Sequence, residues 1–124
     1  MGHPQIIIES CEFSQQRYQT LGDWLYDNFG NLRISVCDAG GNATDPLEND
    51  EAFLIALHEL VEAKLCHRAG ITQGAVDAFD FAFRGNSEPG DHPEAPYRVQ
   101  HRQAMLIEHM MAHFLGLTTY GRME

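Results

Sequence analysis

A histidine and a glutamate four residues apart, His58 and Glu62, interrupt the apolar face of a strongly helical stretch in this 124-residue chain. With His58 at zero and about 100° of rotation per residue, Glu62 falls near about 40°, and Glu59, near about 100°, borders the same face. Glu62 is flanked by Leu54 and Leu65 on one side and by Ile55 and Cys66 on the other. A carboxylate buried without a partner is strongly disfavoured or takes up a proton. Whatever packs on this helix must therefore offer Glu62 a cation, a histidine or hydrogen-bond donors.

The five residues His58-Glu59-Leu60-Val61-Glu62 read HExxE. Residues four apart share a helix face, so the His58 imidazole and the Glu62 carboxylate converge on one point and form a two-ligand clip for a metal ion. The zinc-protease motif H-E-x-x-H has the same spacing and uses the glutamate after its first histidine as general base. Glu59 occupies that place, and Glu62 stands where the motif has a second histidine.

Local patterns set the frame around the pentad. Ile6-Ile7-Ile8, inside Gln5 to Phe13, is a β-branched run that predicts a strand. Residues 22–27 and 32–37 flank the turn-rich Asn28-Phe29-Gly30-Asn31 and predict a β-hairpin, giving a small antiparallel three-stranded sheet. Gly40-Gly41, Asn42 and Asp45-Pro46 end this region. Asn49 or Asp50 caps a helix to about residue 67 that Gly70 stops, Thr72 caps a shorter one to about Phe83, and a last helix spans about 96–117. The expectation is a single α+β domain over 1–124, with sheet elements at about 5–38 and three helices at about 49–118.

The last helix supplies the partners. On a wheel with His101 at zero, Ala104, Ile107, Met111, Phe114 and Leu115 form an apolar arc from about 220° to 320°. Glu108, near about 340°, and His101 border that arc, whereas His109 and His113 fall near about 80° and 120°, on a face expected to be solvated. His58, Glu62, His101 and Glu108 are accordingly the expected metal ligands, a nitrogen and oxygen set suited to zinc first, and also to manganese or iron. Glu108 could instead orient His101 from behind, and Glu59 is the candidate general base for a bound water. The competing arrangement is a polar cluster in which the acids pair with histidines or arginines and hold helices in register.

Other candidates rank lower. Asp77 and Asp80 lie three apart on the middle helix; Asp80 could add a carboxylate, but both are expected to face solvent while Val76, Phe79 and Phe83 make the core face. Asp91-His92-Pro93-Glu94 combines ligand types in a loop of unassigned position. Trp24, Tyr26 and Tyr97 could wall a cleft, although packing across sheet and helices is the expected role. Cys11, Cys37 and Cys66 are odd in number and lack C-x-x-C spacing, which argues against a disulfide framework and for a reducing cytoplasm.

Charge narrows the partners. Eight Lys and Arg against 18 Asp and Glu give a net charge of -10, which repels phosphate backbones and makes nucleic acid an unlikely partner. No stretch approaches a membrane span, and Met1-Gly2-His3-Pro4 lacks the start of a secretion signal.

Two resemblances attach to these residues. His58 to Ala63, followed by Cys66-His67-Arg68-Ala69-Gly70-Ile71, Ala78-Phe79-Asp80 and Pro96 to His101, with Gly22-Asp23-Trp24 in the hairpin, resembles small proteins encoded by phages and prophages. That resemblance implies a host cytoplasm and no particular activity. The pentad is similar to that of zincin metalloproteases, which implies a small sheet beside a metal-binding helix, with His58 as first ligand and Glu59 as base; Glu62 departs from the second histidine. The reading is a zincin-like metal-binding protein, with metal-dependent hydrolysis as its candidate activity. The alternative is a noncatalytic phage accessory protein whose acidic surface contacts a basic partner.

Overall fold

The computed structural model describes residues 3–18, 20–85 and 88–117. Three strands, β1 (Ile6–Ser10), β2 (Gly22–Tyr26) and β3 (Leu32–Val36), form one sheet, followed by helices α1 (Asp50–Ala69), α2 (Gln73–Ala82) and α3 (Arg98–Phe114). The α+β order agrees with the sequence, but the sheet is mixed. β2 and β3 are the expected antiparallel hairpin, whereas β1 pairs parallel to β3 on its other edge, in the order β1-β3-β2. Strand propensity fixes neither neighbour nor direction. Here the connection from Cys11 to Leu21 carries the chain across to the far edge of β3 before the hairpin begins.

The hairpin turn is held by Asp27, whose carboxylate accepts the backbone N–H groups of Phe29 and Asn31, both at 2.9 Å. Gly30 supplies a left-handed residue at φ 83°. In β3, Leu32, Ile34 and Val36 are buried and Arg33 and Ser35 point away, a period of two that lays one sheet face against α1.

α1 starts where Asn49 accepts the Ala52 N–H at 3.0 Å and ends at Gly70 in the left-handed conformation, φ 76°. It packs against β2 and β3 of the sheet and against α3. Its buried residues include Ala52, Ala56 and Ala63, and α3 buries Ala104 and Ala112. Small side chains let elements approach closely enough for polar groups on facing helices to meet. Thr72 caps α2 through the Ala75 N–H, and Val76 and Phe79 pack on the core as expected.

α3 is rotated from the wheel's expectation. Its buried positions are His101, Ala104 and Ala112, with Glu108 and Met111 half-buried, while Ile107, Phe114 and Leu115 are exposed. The polar pair expected at the margin of the core face is at its centre, because α1 offers complementary polar groups at that level.

Candidate metal centre

α1 presents His58 and Glu62 one turn apart, and α3 presents His101 opposite them. His58 Nε2 lies 3.2 Å from Glu62 Oε2 and 3.2 Å from His101 Nδ1, and His101 Nδ1 lies 2.8 Å from Glu62 Oε2. All three side chains are at most 8% exposed. A tetrahedral ion with ligands at about 2.0–2.1 Å separates its ligand atoms by about 3.3 Å, so this triangle is close to one face of such a site. The three residues form a group that could hold a divalent metal ion. Two ring nitrogens facing each other at 3.2 Å while both face one oxygen must share protons or lone pairs; an ion between them satisfies all three lone pairs at once.

Two of the three side chains are also held from behind by hydrogen bonds. His58 Nδ1 lies 2.7 Å from Glu108 Oε1, which fixes its ring and turns Nε2 toward the triangle. The indole N–H of Trp24 donates to Glu62 Oε1 at 2.9 Å, leaving Oε2 for the triangle. His101 Nε2 lies 3.3 Å from Asp91 Oδ1, at ion-pair distance but without hydrogen-bond geometry. The backbone of Gly90 lies against the His101 ring, where a Cβ would come within 2.4 Å of Cγ.

Burial alone would neutralise His58 and Glu62, and the contacts of these two side chains reverse that. Burial disfavours charged His58, but the hydrogen bonds with Glu108 and Glu62 outweigh it and push the imidazole up to about 11. Burial likewise opposes the Glu62 carboxylate, yet His101 and His58 lower it to about 2. The stability from His58 is fully present below its ordinary 6.5 and lost as pH rises through about 11. The stability from Glu62 is present above 4.5 and lost as pH falls through about 2, so the metal-free cluster is strongest between these ordinary values.

A pH-dependent affinity follows. An ion at Nε2 must displace the proton that His58 otherwise keeps, so zinc affinity should rise about tenfold per pH unit between about pH 6.5 and 8.5. Calorimetric titrations in buffers of different ionisation enthalpy should report close to one proton released. Affinity independent of pH over that interval would contradict this protonation scheme.

A cleft of about 40 Å3, room for about three waters, opens beside the triangle. Trp24, Glu59, Glu62, Tyr97 and His101 are among its walls. The Glu59 carboxyl makes no hydrogen bond among the described residues; burial first, and then the Glu62 charge, raise it well above the ordinary range. Its stem passes the backbone of Gly22, where a Cβ would lie 3.0 Å from Glu59 Cγ. Asp23 and Asp77 also reach the cleft and are bridged by Arg17, at 2.6 and 3.0 Å. Asp80 accepts the Tyr97 hydroxyl at 2.6 Å, and burial pushes its carboxyl up to about 6 against that bond.

Of the expected ligands, His58, Glu62 and His101 come together. Glu108 is on the remote nitrogen of His58, behind the triangle, and it orients that residue rather than His101. Glu59 reaches the adjoining cleft. Asp77 and Asp80 turn toward Arg17, Tyr18 and Tyr97 instead of facing solvent, because the segment before β2 and the start of α3 fold over α2. Tyr97 and Trp24 line the cleft, whereas Tyr26 is on the surface. His113 is exposed, and the His109/His113 pair forms no metal-ligand group among the described residues. Sequence reasoning missed the Trp24 contact, for which a buried indole needing an acceptor was the available signal. The placement of Asp91 beside His101 was not legible either, since loop residues have no periodicity from which to place them. Cys11, Cys37 and Cys66 are free thiols, and burial pushes Cys66 up to about 12.

Among the described residues no helix is long and apolar enough to cross a membrane. Compared with protein-family models, with curated proteins and with solved structures, the chain matches none.

Proposed function

We propose that this chain is a zincin-like metal-dependent hydrolase whose ion is held by His58, Glu62 and His101. The observation that carries the reading is the convergence of three buried ligand atoms, each ligand's other polar atom facing Glu108, Trp24 or Asp91. A purely structural pair needs no such backing, whereas metal ligands depend on it for tautomer and orientation. Two histidines and one glutamate are a donor set that catalytic zinc sites use, leaving a fourth position for water. The order differs from the zincin motif. Glu62 takes the place of its second histidine, and His101 from α3 restores the set. Manganese or iron would also accept these donors, with zinc the best match to a tetrahedral face.

The ion would supply a Lewis acid that acidifies a bound water. Glu59 would take that water's proton once the charge of the bound ion lowers its raised carboxyl and leaves it ionised, and it has no hydrogen bond among the described residues to surrender. Tyr97 and Trp24 would wall the substrate's approach. On the phage and prophage resemblance, the setting we propose is the host cytoplasm.

The test is turnover of a panel of peptide, ester and amidine substrates by zinc-loaded protein. Hydrolysis should appear with zinc and vanish with chelator; absence of hydrolysis across the panel in fully loaded protein would contradict the catalytic reading. One observation favours the second reading, a noncatalytic accessory protein: the cluster closes on itself through hydrogen bonds from both histidines to Glu62. That reading predicts stability and partner binding unchanged by chelator.

A further inference from the structure

We infer that Trp24 is a positioning residue that fixes Glu62 as a one-oxygen ligand and thereby keeps a coordination position open. The inference rests on the metal reading above and goes beyond it. A carboxylate can give an ion one oxygen or both, and the second oxygen would fill the position that a water needs. The Trp24 indole N–H occupies Glu62 Oε1 at 2.9 Å, and only Oε2 stands in the triangle with the two imidazole nitrogens. Both residues are 5% exposed, so the bond between them is buried. An indole N–H is a donor only, so it restrains the carboxylate without competing as a ligand.

The restraint comes from outside the helix that carries the ligand. Trp24 sits in β2, paired with Ile34 of β3, and its ring packs edge-on against Tyr26 at 6.2 Å. For Glu62 to turn its second oxygen to an ion, the carboxylate must rotate against an indole held in β2, which bends or lengthens a buried hydrogen bond and favours one-oxygen binding. Trp24 and Glu62 both line the cleft, so the position kept open is on the side a substrate would reach.

Two measurements test this. The chain has one tryptophan, so its indole N–H gives a single proton–nitrogen resonance. Titration with Zn2+ should shift that resonance while it stays hydrogen-bonded and slow to exchange; a move to the free-indole position with fast exchange would mean both oxygens have turned to the ion and would overturn the inference. The second compares Co2+-loaded wild type with Trp24→Phe. Wild type should show the intense visible bands of four-coordinate cobalt, and the variant should lose several-fold in band intensity and about 10- to 100-fold in Co2+ affinity. Identical spectra and affinities in folded Trp24→Phe would overturn the role of Trp24 while leaving the metal centre standing. Failure of the wild type to take up Co2+ or Zn2+ would instead overturn the metal reading itself. The resonance measurement needs no variant, so it decides the matter even if Trp24→Phe does not fold.

Discussion

Zinc at about a thousandfold excess over its dissociation constant is expected to raise the midpoint of thermal unfolding by roughly 10–20 °C. An ion bound only by the folded chain adds about 4 kcal/mol at that ratio, and each kcal/mol moves the midpoint of a chain this size by about 3–5 °C. The selectivity for the folded state comes from His101, which is 43 residues from His58 in sequence and meets it only when α3 packs on α1. The unfolded chain retains only the weaker local pair. In His101→Ala or Glu62→Ala the zinc-induced rise should fall to less than about a quarter of that in wild type. Comparing the rise within each variant, rather than midpoints across variants, separates the lost ion from the destabilisation that follows when one member of a buried charged cluster is removed. A wild-type midpoint unmoved by zinc, manganese and iron would go against the account.

Glu59→Gln should reduce hydrolytic turnover by about 100- to 10,000-fold, the usual contribution of a positioned general base. Zinc affinity in the same variant should stay within about threefold of wild type, because Glu59 reaches the cleft and is outside the three-atom group. The amide keeps the shape and loses the proton acceptor. Calorimetry and turnover on one preparation therefore distinguish base from ligand: equal turnover would remove Glu59 from the chemistry, and lost zinc would make it a ligand.

Much of this site was legible one helix at a time. Asn49 and Gly70 mark the ends of α1 through local capping chemistry, and the i, i+4 spacing alone places His58 and Glu62 on one face. His101 was found because a polar residue bordering an apolar arc, opposite another helix with the same anomaly, implies a meeting. The rotation of α3 was not legible. Hydropathy assigns Ile107, Phe114 and Leu115 inward, but the histidines and carboxylates of the site satisfy one another only if His101 and Glu108 take the inner face. A wheel weighs side chains singly and cannot see that pairing.

Long-range choices were hidden for the same reason. Ile6-Ile7-Ile8 announces a strand, yet nothing local distinguishes pairing parallel to β3 from extending the hairpin. β1 also extends past the cover of α1, which leaves Ile6 and Ile8 exposed despite their register beside Leu32 and Ile34. Trp24 reaches Glu62 across 38 residues, and Asp91 approaches His101 from an irregular loop. These supporting residues become visible only once the sheet, α1 and α3 are stacked.

Elemental mass spectrometry on untagged protein, with a His58→Ala, Glu62→Ala double variant beside it, tests the metal centre most directly. The account predicts about one equivalent of a divalent metal per chain in wild type and essentially none in the variant, with circular dichroism showing that the variant remains folded. Wild-type protein that holds no metal after reconstitution with zinc, manganese and iron would contradict it and leave the His58, Glu62 and His101 cluster as a structural link between α1 and α3.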